Sequence, residues 1–243
     1  MFLCIDRGNT RTKTGVFDEK GNLIISNIYV DDELSQIKNL VSTHHIKHAI
    51  MSSTGKDIWA ITELALQGQM IELSHTTPLP IEIIYSTPET LGRDRIAAAC
   101  GAHALHPGKT CLIIDAGTCV TMDLLLAKGV YVGGNIAPGV EMRIIAMHKF
   151  TARLPLVESG FPDLVFGDTT QHALQNGACL GVLMEIEGIL NRAKEAYGEV
   201  SVVITGGDSP LLAAKIESQI FVEPELVTQG LFQILSFNVT NSN

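Results

Sequence analysis

Apolar and polar positions fall into two similar series along the chain. Residues 2–5 are an apolar run that ends in Asp6-Arg7-Gly8-Asn9-Thr10, and residues 12–17 alternate polar with small apolar side chains. Runs of this length and period predict strands. DEKGNL at 18–23 predicts a hairpin turn, since Gly21-Asn22 tolerate positive φ. Residues 23–30 form a third predicted strand. Residues 31–39 begin acidic, as a helix N-terminus favours, and Leu34, Ile37, Leu40 and Val41 follow at helical spacing. Residues 49–53 predict a strand and 57–67 an amphipathic helix. Pro78, Pro80 and Pro88 mark an extended connection. TLGRDRIAAACGAHAL then opens on a glycine turn and becomes an alanine-rich helix that stops near Pro107-Gly108.

The pattern restarts at Lys109. A strand over 110–114 ends in Asp115-Ala116-Gly117-Thr118, a second covers 120–126, AKGV makes a hairpin turn, and Tyr131-Val132 opens a third strand. Helices are predicted over 139–150, 169–196, 211–218 and 225–237, with strands at 200–205 and 220–222. Both halves thus run strand, Asp-x-Gly turn, strand, glycine hairpin, strand, helix. This organisation predicts a duplicated α/β fold with a cleft between two domains and one Asp-x-Gly turn facing it from each.

Glycine lets backbone N–H groups approach a phosphate closely, and Asn or Thr side chains add donors. An aspartate there would repel bare phosphate, so it must meet it through a hydrated cation such as Mg²⁺. Asp6 and Asp115 therefore read as cation-side residues. Gly8, Asn9, Thr10, Gly117 and Thr118 read as phosphate-side residues. Either turn alone reads more readily as an ordinary strand end; the pair in matching contexts points to a nucleotide. VVITGGDSP suits a base or ribose against Gly206-Gly207, and an ordinary strand-to-helix turn explains it equally well. Neither GxxxxGK[ST] nor GxGxxG occurs. In GRDR at 92–95, Arg93 and Arg95 suit an anionic substrate, and Asp94 suits a proton acceptor for an attacking hydroxyl. A solvated helix N-terminus fits those four residues as well. His44, His45 and His48 read as an exposed helix end rather than a metal site.

Composition narrows the class. With 46% hydrophobic residues over 243 positions, the chain can bury a large core. A net charge of −9 disfavours nucleic acid and anionic membrane as partners. Five cysteines without a CxxC pair read as reduced, buried thiols. The N-terminus lacks a basic region followed by a long apolar stretch, and no apolar run approaches the ~20 residues of a membrane span. The expectation is a cytoplasmic protein.

Together, DRGNTRTK (6–13), YSTPETLGRDRIA (85–97), DAGT (115–118), GGNIAPG (133–139), TARLP (151–155) and GDTTQHALQNG (167–177) resemble the type III pantothenate kinases. These belong to the superfamily of acetate and sugar kinases, actin and heat-shock chaperone ATPases. The resemblance implies two actin-like, ribonuclease H-like domains, at 1–106 and 107–243, with mixed sheets flanked by helices and an ATP cleft between them. It implies ATP-dependent phosphorylation of pantothenate to 4'-phosphopantothenate, the first step of coenzyme A biosynthesis, by a homodimer. It places Asp6, Arg7, Gly8, Asn9, Thr10, Arg11, Thr12, Lys13 and Thr118 on ATP, with Asp6 near Mg²⁺. It places Tyr85, Gly92, Arg93, Asp94, Arg95 and Thr170 on pantothenate, with Asp94 as catalytic proton acceptor. Asp115 would hold a monovalent cation, K⁺ or NH₄⁺, rather than share a divalent ion with Asp6. Arg7 departs from the family's small or apolar residue and sets an extra cation beside the phosphate loop, and Cys119 stands where alanine is commoner. Kinases of other small hydroxylated substrates, and non-catalytic ATP-binding regulators of the same fold, are the competing readings.

Overall fold

The computed structural model describes residues 1–8, 10–30, 33–54 and 59–241. The chain divides into two compact units: Met1–Gly108 with Gly129–Tyr131 and Glu225–Asn243, and Lys109–Lys128 with Val132–Pro224.

The first unit opens with an antiparallel meander of β1 (Phe2–Arg7), β2 (Thr12–Phe17) and β3 (Leu23–Tyr29). The β2–β3 turn is closed by Asp18, whose Oδ1 accepts from the Lys20 and Asn22 N–H groups at 2.8 and 2.9 Å, with Gly21 at φ +85°. Helix α1 (Glu33–Thr43) carries the chain back, so β4 (His48–Ser53) pairs parallel with the free edge of β1. β5 (Met70–Glu72) follows parallel to β4, giving the order β3-β2-β1-β4-β5. Beyond β6 (Glu82–Ile83) comes α2 (Arg93–Leu105).

The second unit repeats this plan. β7 (Cys111–Ala116), β8 (Cys119–Leu126) and β9 (Val130–Pro138) are adjacent in sequence order. After α3 (Val140–Lys149), α4 (Thr170–Gln175) and α5 (Gly181–Tyr197), β10 (Ser201–Thr205) pairs parallel with β7. Following α6 (Ser209–Ala213), β11 (Ile220–Val222) pairs parallel with β10. The order β11-β10-β7-β8-β9 is that of the first sheet read from its other edge. The duplication read from the sequence is therefore a duplication of topology. The first residues of β9, Val130 and Tyr131, pair parallel with β6 within the first unit.

The last helix, α7 (Leu226–Asn241), belongs to the first unit, whereas the sequence reading ran the second domain through residue 243. The reason is backbone-to-backbone packing on α2. A Cβ at Gly230 would lie 1.7 Å from the Ala97 carbonyl oxygen, and one at Gly101 would lie 2.4 Å from that of Leu226. The run Ala97-Ala98-Ala99-Cys100-Gly101-Ala102 is small because a helix lies against it. On β1, Leu3 and Ile5 enter a core with Val16, Ile37, Leu40, Met51 and Trp59. The opposite face meets α7, where Phe2 and Phe17 pack on Phe232 with centroids 5.5 and 4.9 Å apart.

Three local expectations are corrected. Of the helix expected over 57–67, residues 57 and 58 lie outside the described residues, and within the remainder the only helical segment is a 3-10 turn, Ile61–Leu64, ended by Ala65 at φ +50°. Ile61 and Leu64, three apart, reach the core from one such turn without an α-helix. The helix over 169–196 is interrupted by a π-helical segment, Asn176–Leu180, where the Asn176 amide donates to the Leu164 and Val165 carbonyls. Of the five cysteines, four are buried free thiols and Cys119 is exposed.

His48 is likewise no helix-end residue: α1 stops at Thr43, and His48 lies in β4. Its ring stacks on Phe2, and its Nδ1 accepts from the Gln69 N–H at 2.9 Å. Burial, then the charges of Lys47 and the N-terminal ammonium, hold its pKa below the ordinary 6.5. The unfolded chain therefore binds a proton that the folded chain refuses, and stability falls as pH drops below about 6.5. Protonation also turns the Nδ1 acceptor into a donor facing the Gln69 donor. The His48→Gln variant is expected to lose less Tm than the wild type between pH 7 and 5. Equal slopes in scanning fluorimetry would contradict this.

No helix among the described residues is long and apolar enough to cross a membrane.

Candidate active site

The first Asp-x-Gly turn joins β1 to β2. Asp6, next to last in β1, is half-buried, opposite Lys13 across the ladder and beside Ser52 of β4. Opposite charges at a directly opposed pair favour this register. The Gly8 N–H donates to the Arg11 carbonyl at 3.1 Å and closes the turn, while Thr10 and Arg11 are exposed. Asn9 lies outside the described residues.

Two side chains of this turn have other partners. Arg7 is 2% exposed. Its Nη1 and Nη2 donate to the Trp59 carbonyl, both at 3.2 Å, and its guanidinium lies 4.3 Å from the Trp59 ring centroid. Its Nε sits 3.1 Å from Glu33 Oε1 as an ion pair. Glu33 also accepts from the Trp59 indole N–H at 2.7 Å and from the Thr12 hydroxyl. The sequence showed Glu33 only as an acid at a helix start. Nothing in its spacing linked it to Arg7, Thr12 or Trp59.

The second turn joins β7 to β8. Asp115 is half-buried, with Thr121 and Thr205 beside it in the ladders, and Thr118 is exposed. Two glycines shape this turn. A Cβ at Gly139 would lie 2.1 Å from the Gly117 carbonyl oxygen, and the Gly139 N–H donates to the Thr118 carbonyl at 3.1 Å. Gly206 has φ +93°, and a Cβ there would lie 2.3 Å from the Ala116 carbonyl oxygen and 2.5 Å from Asp115 Oδ1. The sequence left Gly206-Gly207 open between space for a nucleoside and an ordinary strand-to-helix turn, and did not show the close packing of Gly206 on Ala116 and Asp115. Asp208 donates its backbone N–H to the Ala116 carbonyl at 2.9 Å. Burial, then the negative charge of Glu141, raises its carboxyl pKa above the ordinary value.

GRDR begins α2. Asp94 is half-buried in the first turn, and its Oδ1 accepts from the Arg95 N–H at 2.9 Å. Gly92 leaves room for that carboxylate: a Cβ would sit 2.6 Å from Asp94 Oδ1. Arg95 is buried. The Arg93 guanidinium points back to the preceding turn and donates to the Leu91 and Glu89 carbonyls at 2.7 and 3.1 Å. Tyr85 is half-buried, edge-on to the buried Tyr131. Thr170 is exposed at the start of α4, in the second unit. The first unit therefore holds Asp6–Lys13, Tyr85 and Gly92–Arg95, and the second holds Asp115, Thr118 and Thr170.

The donor chemistry suits hard cations: carboxylates at Asp6 and Asp115, with hydroxyls beside the latter. Among the described residues no three His, Cys, Asp or Glu side chains cluster as a metal cage. A cation at either turn would thus be held by one carboxylate together with phosphate oxygens and water, as Mg²⁺ accepts.

Comparison with known proteins identifies the family. A Phocaeicola vulgatus type III pantothenate kinase is 40% identical over 98% of this chain and 99% of its own length. One from Christiangramia forsetii is 38% identical over 99% of this chain and its full length. Among solved structures, the activator of 2-hydroxyisocaproyl-CoA dehydratase from Clostridium difficile with bound ADPNP aligns with TM-score 0.60 at 12% identity, covering 99% of this chain and 96% of that one. A ROK family glucokinase from Streptomyces griseus, in complex with glucose and AMPPNP, aligns with TM-score 0.52 at 12% identity, covering 97% and 98%. These two share the fold. The family model described as type III pantothenate kinase matches residues 2–192, and with the full-length relatives it establishes that the chain belongs to the type III pantothenate kinase family.

Proposed function

We propose that this chain transfers the γ-phosphoryl group of ATP to the primary hydroxyl of pantothenate, giving 4'-phosphopantothenate at the start of coenzyme A synthesis. The observation that carries the reading is the pair of Asp-x-Gly turns at equivalent ends of β1 and β7, in a chain similar from end to end to type III pantothenate kinases. Backbone N–H groups and side chains of Gly8, Asn9, Thr10, Arg11 and Lys13, with Thr118, bind the ATP phosphates. Arg7 and Thr12 act from behind the loop, because their side chains are buried on Glu33. Gly92, Asp94, Arg95, Tyr85 and Thr170 bind pantothenate. Asp94 takes the hydroxyl proton as that oxygen attacks the γ-phosphorus, the new O–P bond forms, and the bond to the ADP oxygen breaks. Arg93 serves chiefly by fixing the turn before α2.

Asp6 would hold Mg²⁺ and Asp115 a monovalent cation, K⁺ or NH₄⁺; both ions supply positive charge against the transferring phosphoryl group. The active form is a homodimer, a reading supported by the exposed apolar side chains of Phe150 and Phe166, at 81% and 88% exposure.

The test is ADP release coupled to NADH oxidation, with pantothenate varied against other small alcohols, and with and without K⁺. Saturable, pantothenate-dependent release that needs Mg²⁺ and K⁺ or NH₄⁺ is expected. No release above background with all four components present would refute it. Preference for another alcohol would reassign the substrate. Asp6→Asn is expected to raise the Mg²⁺ requirement and Asp115→Asn the K⁺ requirement, each several-fold. Identical shifts would contradict the division of labour.

A further inference from the structure

Arg7 looks from the sequence like an added phosphate ligand. The geometry points to a different role: Arg7, Glu33, Thr12 and Trp59 form a clamp that fixes the first phosphate loop in its binding shape, and Glu33 is its positioning residue. This inference rests on the reading of residues 6–13 as the ATP loop.

The loop leaves the sheet at Arg7 and returns at Thr12, which are cross-strand partners. One carboxylate ties both ends. Glu33 Oε1 pairs with Arg7 at 3.1 Å, and Oε2 accepts from the Thr12 hydroxyl. The same Oε1 takes the Trp59 indole N–H at 2.7 Å, while the Trp59 carbonyl takes both terminal Arg7 nitrogens at 3.2 Å. The Arg7 carbonyl, in turn, accepts from the Thr54 N–H at 3.0 Å. A buried guanidinium with an ion pair, a shared carbonyl and an aromatic face has little freedom to swing toward a ligand. Its removal from water is costly, so the cluster persists only while complete. Both ends of the loop are thereby held before a nucleotide arrives, and preorganisation of this kind lowers the cost of binding phosphate.

Two roles for Arg7 make opposite predictions. If Glu33 merely restrained a phosphate ligand, removing its charge would free Arg7 and tighten ATP binding. In a clamp, the same change loosens the loop and weakens ATP binding while leaving pantothenate untouched. The experiment is calorimetric titration of the full chain with a non-hydrolysable ATP analogue, and separately with pantothenate, for the wild type, Glu33→Gln and Thr12→Val. Thr12→Val removes one tie at nearly constant shape and carries the same reading should Glu33→Gln fail to fold. Each variant is expected to bind the analogue at least about tenfold more weakly, the scale of losing one hydrogen bond to a charged group, with pantothenate affinity unchanged within about twofold. Unchanged or tighter analogue binding by a folded variant overturns the clamp alone, as does equal weakening toward both ligands, which marks general destabilisation. Absence of analogue binding by the wild type overturns the ATP reading together with the clamp.

Discussion

Asp94→Asn is expected to lower kcat for pantothenate phosphorylation by about 10²- to 10⁴-fold, the range that a positioned proton acceptor contributes. The amide replaces the carboxylate at almost the same volume, and its oxygen still accepts from the Arg95 N–H that Asp94 Oδ1 binds at 2.9 Å. The first turn of α2 therefore keeps its local structure, and only the capacity to take a proton is lost. Gly92 keeps the space beside residue 94 open in both proteins. ATP affinity should stay within about twofold of the wild type, because the proposed phosphate loop joins β1 to β2 and is not part of α2. Single-turnover kinetics alongside ATP-analogue titration separates the two effects. A kcat within about tenfold of the wild type would remove Asp94 from the chemistry and leave transfer to positioning and electrostatics alone.

Gly230→Ala is expected to be the most destabilising single-methyl change in the first unit. The added Cβ would meet the Ala97 carbonyl oxygen at 1.7 Å and the Gly101 nitrogen at 2.8 Å, and both are backbone atoms that cannot rotate away. Helices α2 and α7 must separate, which also disturbs the contact of Gly101 with Leu226 and the seat of Phe232 on Phe2 and Phe17. Overpacking of this kind costs about 3 kcal/mol or more. At roughly 2–4 °C per kcal/mol for a chain of this size, Tm should fall by about 6–12 °C. Because α2 carries Asp94 at its N-terminus, the variant should also lose turnover below its Tm, while its ATP affinity changes less. Differential scanning calorimetry gives the first quantity. An unchanged Tm would mean that the two helices are free to part without cost.

Much of the fold was legible because strands announce themselves by period and turn chemistry. β1 followed from an apolar run, β2 from alternation and the β2–β3 hairpin from Gly21, and the matching series after Lys109 exposed the duplication. Helix extents were less legible. Ile61 and Leu64 satisfy a 3-10 turn as well as an α-helix, and only tertiary burial chooses between them. The two-residue β6 and the three-residue β5 carry too few positions for any period to show. The alanine run of α2 was visible, but its cause, a second helix from the far end of the chain, was not.

The candidate site divides in the same way. The two Asp-x-Gly turns and GRDR were determined by the sequence alone, since each depends on residues adjacent in the chain and on their intrinsic chemistry. Which side chains of those segments remain available to a ligand was decided by the tertiary structure. Arg7 and Thr12 are turned to Glu33 and Trp59, Arg93 to the turn before α2, and Gly139 and Gly206 exist to let backbone close on the second loop. The physical reason is range: turn conformation and acid–base chemistry act over a few bonds, whereas burial and partner choice join residues remote in sequence through space.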